Sequence, residues 1–213
     1  MDKSGATASL GCAAGHQRAY TRAVTAQRPP KGRPQLHTAR LRLEPMSWDH
    51  LDDLVDLDAD AEVMRFLGPV RTRDEVVERM TERLSPSDDA LGLGFWVGFE
   101  RERFCGWWAL AMVRPATAEL GYRLARHAWG RGLATEGAIA LIDHGFATAG
   151  VELIVAETMV VNRGSRAVMA KLGMRHTHTE MREWSDPLPG AEHGEWLTSL
   201  SRAEWHADSS RRG

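Results

Sequence analysis

A mixed α/β fold is predicted by the order of strand and helix signals along the chain, and three observations carry the prediction. Three runs with strand patterning, residues 95–99, 104–113 and 117–125, follow one another. The apolar period then changes to that of a helix over residues 132–147, where Ala134, Ala138, Leu141 and Ile142 share one face. Strand patterning returns at residues 153–159. No internal repeat interrupts this order, which argues for one domain and against an array.

The elements follow in sequence. Leu41-Arg42-Leu43-Glu44-Pro45 alternates and stops at proline, as a short strand does. Ser47 is placed to cap a helix carrying Leu51, Leu54 and Val55. The other side of that helix holds Asp49, Asp52, Asp53, Asp56, Asp58 and Asp60 and reads as a solvated acidic face. It imitates the start of a calcium loop, but Ala61 stands where the turn needs glycine and Leu67 where a closing glutamate belongs. Thr72-Arg73-Asp74-Glu75 forms a capping box ahead of Val76, Val77, Met80 and Leu84. The run 104–113 is apolar on both alternating faces and is expected to be a central strand. Beyond the 153–159 strand come a loop through Asn162, a short helix over 165–172 ended by Gly173, a strand from Met174, a turn at Pro187-Leu188-Pro189-Gly190 and a strand over 195–200.

Composition narrows the classes of function. The 213 residues carry 27 basic and 29 acidic side chains, so no chain-wide charge favours nucleic acid or an anionic membrane. No run reaches the roughly 18 apolar residues of a membrane span. Two cysteines, Cys12 and Cys105, cannot build a disulfide framework, and a reducing cytoplasm is the expected location. Residues 1–35 hold six basic side chains against the single acid Asp2 and are expected to be a disordered arm. The folded domain is expected over residues 36–206, with a polar tail over 207–213.

The segment with chemistry is Leu124-Ala125-Arg126-His127-Ala128-Trp129-Gly130-Arg131-Gly132-Leu133-Ala134-Thr135-Glu136. A strand runs into a Gly-x-Gly turn that opens a helix, so backbone N–H groups gather at the positive end of the helix dipole and suit a phosphate. Arg131 adds charge beside them. The same residues also suit an ordinary strand-to-helix turn. A dinucleotide fingerprint is excluded because Thr135 replaces its third glycine, and a P-loop because no Gly-Lys-Ser or Gly-Lys-Thr occurs. His176 and His178 flank one threonine on a strand and so share a face, but no third ligand accompanies them and no metal is expected. Trp107 and Trp108 point to opposite faces, one to the core and one towards a cleft.

These motifs resemble those of the GNAT superfamily of N-acetyltransferases. The matching pieces are Glu119-Leu120-Gly121-Tyr122-Arg123-Leu124, then Trp129-Gly130-Arg131-Gly132-Leu133-Ala134-Thr135-Glu136, then Asn162-Arg163-Gly164-Ser165-Arg166 and Lys171-Leu172-Gly173-Met174. The branch most similar is the Rim-type, ribosomal-protein-alanine acetyltransferases. The resemblance implies the GNAT fold, an α/β architecture whose mixed, strongly twisted sheet of about 6–7 strands splays open at a cofactor cleft and is flanked by helices. It implies acetyl-CoA as co-substrate, with pyrophosphate on the N–H groups of Trp129, Gly130, Arg131, Gly132, Leu133 and Ala134. It also implies that pantetheine pairs like an extra strand with Tyr122, Arg123 and Leu124 and is held by Asn162.

The reaction so implied is direct acetyl transfer to a primary amine, a small molecule or a peptide N-terminus, in a ternary complex. The alternative is a non-catalytic acyl-CoA-binding module. A homodimer is left open. The chain departs from the family pattern at His127, the first position of the phosphate motif, and at Met169, where many members carry a tyrosine acid. In Rim-type relatives Ser165 takes that acid role, although it also suits a cap or a pantetheine contact. Glu119 is the expected base, with Glu157 or water as its alternative, and the Leu124 N–H is expected to meet the oxyanion. Tyr122, the tryptophans and the acidic helix together favour a cationic amine as acceptor.

Overall fold

A computed structural model of the chain describes residues 7–8, 32–84, 91–148 and 150–212. Its centre is a mixed sheet of nine strands: β1 (Thr7–Ala8), β2 (Leu36–His37), β3 (Leu41–Pro45), β4 (Gly94–Glu100), β5 (Arg103–Arg114), β6 (Thr117–Leu124), β7 (Leu153–Met159), β8 (Arg175–Glu180) and β9 (Glu195–Ser201). Seven of these are five residues or longer, in agreement with the expected count. The spatial order is β2-β3-β4-β5-β6-β7-β9-β8, with β1 added on β6. Every pairing is antiparallel except β6 with β7. That one parallel pair needs a crossover, which α4 (Leu133–Thr148) supplies.

Helices cover both faces. On one, α4 and α5 (Arg163–Lys171) bury Leu141, Ile142, Val168 and Met169 against Trp108, Leu120, Tyr122 and Ile154. On the other, α1 (Leu51–Asp58), α2 (Ala61–Met64) and α3 (Arg73–Arg83) bury Leu54, Leu57, Val63, Val76 and Met80 against Phe95, Val97, Trp107 and Ala109. All eight residues of β6 are buried, as a strand covered on both faces must be. The Thr72 capping box forms as expected at the start of α3. Ser47 caps a 3₁₀ turn, Trp48–His50, that leads into α1. The helix α6 (Arg202–Arg212) closes the chain and runs through the stretch expected to be a polar tail.

Two features bear on the site. The parallel pairing of β6 and β7 covers only Thr117–Glu119 with Leu153–Val155, and beyond it the two strands separate. The arm contributes to the fold at both of its described pieces. Thr7–Ala8 pair with Arg123 and Tyr122 of β6 in that gap, and the rest of residues 1–31 lies outside the described residues. Further on, the Arg33 guanidinium donates to the Phe95 carbonyl at 2.8 Å, and the Trp96 indole N–H donates to the Pro34 carbonyl at 2.8 Å. The buried Trp96 needs that acceptor, so the chain is anchored from Arg33, ahead of Leu36.

Candidate active site

The Gly-x-Gly turn lies at the open end of the gap. Gly130 and Gly132 both adopt positive φ, 70° and 82°, a region in which a side chain is strained, and this lets the backbone reverse before α4 begins at Leu133. Gly132 accepts the Glu136 N–H at 3.0 Å, which starts the helix and leaves its first-turn N–H groups directed along its axis. The turn is braced by a residue the sequence reading did not single out. Arg40 donates to the Arg131 carbonyl at 2.9 Å and from Nε to the Glu136 carboxylate at 2.7 Å. Arg131 itself is held by Glu100 at 2.7 Å, so its expected charge is shared with a carboxylate. His127, at the divergent motif position, has an Nε2 with no partner, and burial followed by the nearby Arg103 lowers its pKa. It is neutral at physiological pH and adds no cation to the turn.

The edge of β6 comes next. The Ala125 N–H donates to the Cys105 carbonyl of β5 at 2.9 Å, so strand alternation turns the Leu124 N–H and carbonyl the other way, towards the gap. That carbonyl accepts the Trp129 indole N–H at 2.7 Å, which ties the turn to the strand. Two residues earlier, Tyr122 projects under α5. Its hydroxyl lies 3.0 Å from Ser165 Oγ and 3.2 Å from the Ser165 carbonyl. Complete burial raises the Tyr122 pKa, so it stays protonated. Asn162 is the N-cap of α5, its Oδ1 accepting the Ser165 N–H at 3.1 Å. Asn162 and Ser165 are both sealed from solvent. The serine is therefore both a helix-start residue and the partner of a tyrosine that reaches it from β6, while Met169 packs in the core.

Side chains on the opposite face of the sheet form two charged groups. Arg123 points away from the gap and is ion-paired with Asp58. It is buried against Trp107, and by the same alternation its backbone N–H and carbonyl face β5 opposite Trp107, not the gap. Asp58 is 1 % exposed and also accepts from Arg71 at 2.7 Å. Burial is the largest single effect and would raise its pKa, but Arg123, Arg83 and Arg71 together outweigh it and hold the carboxyl below the ordinary value. The acidic helix is thus not a solvated face throughout. Asp58 is a core ion pair, and Asp60 caps α2 and binds Arg126. Both tryptophans are buried. Trp108 donates to the Ala134 carbonyl at 3.0 Å, and Trp107 lies under Arg83 and Arg123.

The second group lies across the gap. Glu119, at the last paired position of β6, is buried and engaged with neighbours. Glu157 is gripped by Arg182 at 3.1 and 2.8 Å, and the same guanidinium binds Glu180 at 2.6 Å. Glu195, absent from the sequence reading, completes this row. On β8 a bulge between His176 and His178 breaks the expected alternation. His176 stacks on Trp196 at 3.6 Å, whereas His178 aligns with Leu197 on the other face. The bulge separates the two imidazoles. Among the described residues no helix is long and apolar enough to cross a membrane.

Comparisons with known proteins agree with this geometry. The family described as "Acetyltransferase (GNAT) domain" matches residues 40–175. The FsC-acetyl coenzyme A-N(2)-transacetylase of Aspergillus fumigatus is 38 % identical over 186 residues, covering 82 % of this chain and 79 % of that protein. A crystal structure of spermidine N-acetyltransferase from Vibrio cholerae with CoA and spermine superposes with a TM-score of 0.68 at 15 % identity, covering 79 % of this chain and 99 % of that one. The Salmonella typhimurium acetyltransferase that modifies the N-terminal serine of ribosomal protein L7/L12 gives 0.66 at 17 % identity, covering 77 % and 96 %. The sheet that parts between β6 and β7 and the glycine turn at its mouth are those of a known family: the chain belongs to the GNAT acetyltransferases.

Proposed function

We propose that the protein transfers the acetyl group of acetyl-CoA directly to a primary amine, as an N-acetyltransferase of the Rim-type branch. The observation that carries this reading is the turn with positive φ at Gly130 and Gly132, which opens α4 beside the edge of β6 from which β7 has parted. Its N–H groups would hold the pyrophosphate, with Arg40 fixing the turn from behind. Tyr122 and Leu124 would present their backbone to the pantetheine arm, while Arg123 between them is paired to β5. Because Thr7–Ala8 pair at that edge, the arm must yield the position when the co-substrate binds.

In this reading an amine enters from the face that bears Glu119, Glu157, Glu180 and Glu195. A carboxylate there takes one proton from the ammonium, since only the neutral amine has a lone pair. The nitrogen bonds the thioester carbonyl carbon while the Leu124 N–H meets the oxygen, and the carbon–sulfur bond breaks. Ser165, backed by Tyr122, passes the second amine proton to the departing thiolate. Excess acid on that face suits a cationic acceptor, a small amine or a peptide α-amino group. The structural neighbours whose acceptors are named, spermidine and an N-terminal serine, both present amines. The test is thiol release from acetyl-CoA in the presence of spermidine or a peptide with a free N-terminal serine. Amine-dependent release with acetylated product is expected. Binding of acetyl-CoA without amine-dependent release from either would contradict the reading.

A further inference from the structure

The inference concerns the base and rests on the acetyl-transfer reading above. The sequence nominated Glu119 or Glu157, but the structure treats the carboxylates of this face unequally. Strand register sets their places. β7 pairs with β9 so that Met159 lies opposite Glu195 and Glu157 opposite Leu197, and β8 places Glu180 opposite Glu195. Residues opposite one another share a face, so Glu157, Glu180 and Glu195 project together, away from α5. The core positions of β9, Thr198 and Leu200, point the other way. Met159 lies beyond the end of the β6–β7 pairing, so Glu195 stands one strand from the gap, on the face proposed for the amine.

A single cation serves the three carboxylates. Arg182 grips Glu157 with two bonds and Glu180 with two more, reaching across β9 between them. Both of those carboxylates are thus engaged by one guanidinium. Glu195 lies between them at 9 % exposure, and its carboxylate makes no hydrogen bond or ion pair among the described residues. Its oxygens are not sealed, so an incoming group can reach them. Burial first, and then the Glu157 charge, raise its pKa, against a smaller opposing effect of Arg182. A buried carboxylate without a partner costs stability, and such exceptions are expected where function needs them.

We infer that Glu195 is the general base of the transfer, accepting the amine proton at the end of β7 while Arg182 keeps Glu157 and Glu180 occupied. As the proton moves to Glu195 it relieves an unpaired charge among acids, and the neutral amine is left facing the gap. A second consequence separates this role from a structural one. With its folded pKa raised, Glu195 destabilises the fold while ionised, and that penalty disappears as pH falls through the raised value.

The test compares Glu195→Gln with wild type, using acetyl-CoA with spermidine and with a seryl peptide. The inference expects kcat to fall by about two to four powers of ten. The remaining rate should climb with pH as free amine accumulates, Glu195→Asp should recover part of the loss, and acetyl-CoA affinity by calorimetry should be unchanged. The melting temperature of Glu195→Gln should equal or exceed that of wild type at pH 8. A kcat for Glu195→Gln within threefold of an active wild type overturns the inference, as does a full loss in Glu119→Gln alone. A loss of activity with a lowered melting temperature and no change in pH profile makes Glu195 structural and also overturns it. Wild type that binds acetyl-CoA but acetylates neither amine overturns the transfer reading itself.

Discussion

The two sides of the gap between β6 and β7 are built by different means. On the side of α4, the turn proposed to hold the pyrophosphate is local: two glycines, a helix start and the strand before them lie within a single stretch of chain. On the side of β7, β8 and β9, the carboxylate row is assembled from residues far apart in sequence, and strand register alone brings Glu157, Glu180 and Glu195 together. The first side relies on backbone and tolerates few side chains. The second relies on side-chain charge and on which carboxylates a single arginine occupies.

Breaking the local side should have the largest effect. Gly132→Ile puts a β-branched residue at φ 82°, which forces the turn to rearrange. Acetyl-CoA binding by calorimetry should fall below detection while circular dichroism shows an intact fold. Next comes the ion pair that backs β6. Asp58→Ala leaves the Arg123 guanidinium buried and unpaired and should cost about 3–5 kcal/mol in denaturant unfolding at pH 7. Because the Asp58 pKa is lowered, its contribution is complete above the ordinary carboxylate range and is lost as pH falls through the lower folded value. The gap in stability between wild type and Asp58→Ala should therefore narrow on acidification.

The arm gives a smaller effect of opposite sign. A chain starting at Gly32 keeps the Arg33 and Pro34 anchors but removes Thr7–Ala8 from β6. Two ladder residues contribute about 1–2 kcal/mol, so acetyl-CoA affinity should rise roughly tenfold. An unchanged affinity would mean that the strand does not compete. The smallest effect is expected for Arg131→Ala, which loses an exposed pair with Glu100 and should weaken acetyl-CoA by less than about fivefold.

What could be read from the sequence follows the same division. Strand and helix order, the Thr72 cap and the glycine turn depend on neighbours within a few residues, and pattern alone reveals them. Asp58 looked like one more acid on a polar helix because its partner Arg123 is distant in the chain. Tyr122 and Ser165 were each singled out, yet their contact depends on how α5 crosses β6. Glu195 carried no local signal, and the β8 bulge that separates His176 from His178 is invisible to strict alternation. The arm's composition is that of a solvated tail, and nothing in its pattern announces that two of its residues pair with β6.

Backbone amide shift mapping during an acetyl-CoA titration tests the central claim most directly. The account predicts large changes at Gly130, Gly132, Leu133 and Leu124, with Thr7 and Ala8 losing their pairing to β6 as the ligand saturates. Changes confined to the cavity that Arg166, His176 and Trp196 line on α5, β8 and β9, with the glycine turn unmoved, would contradict it.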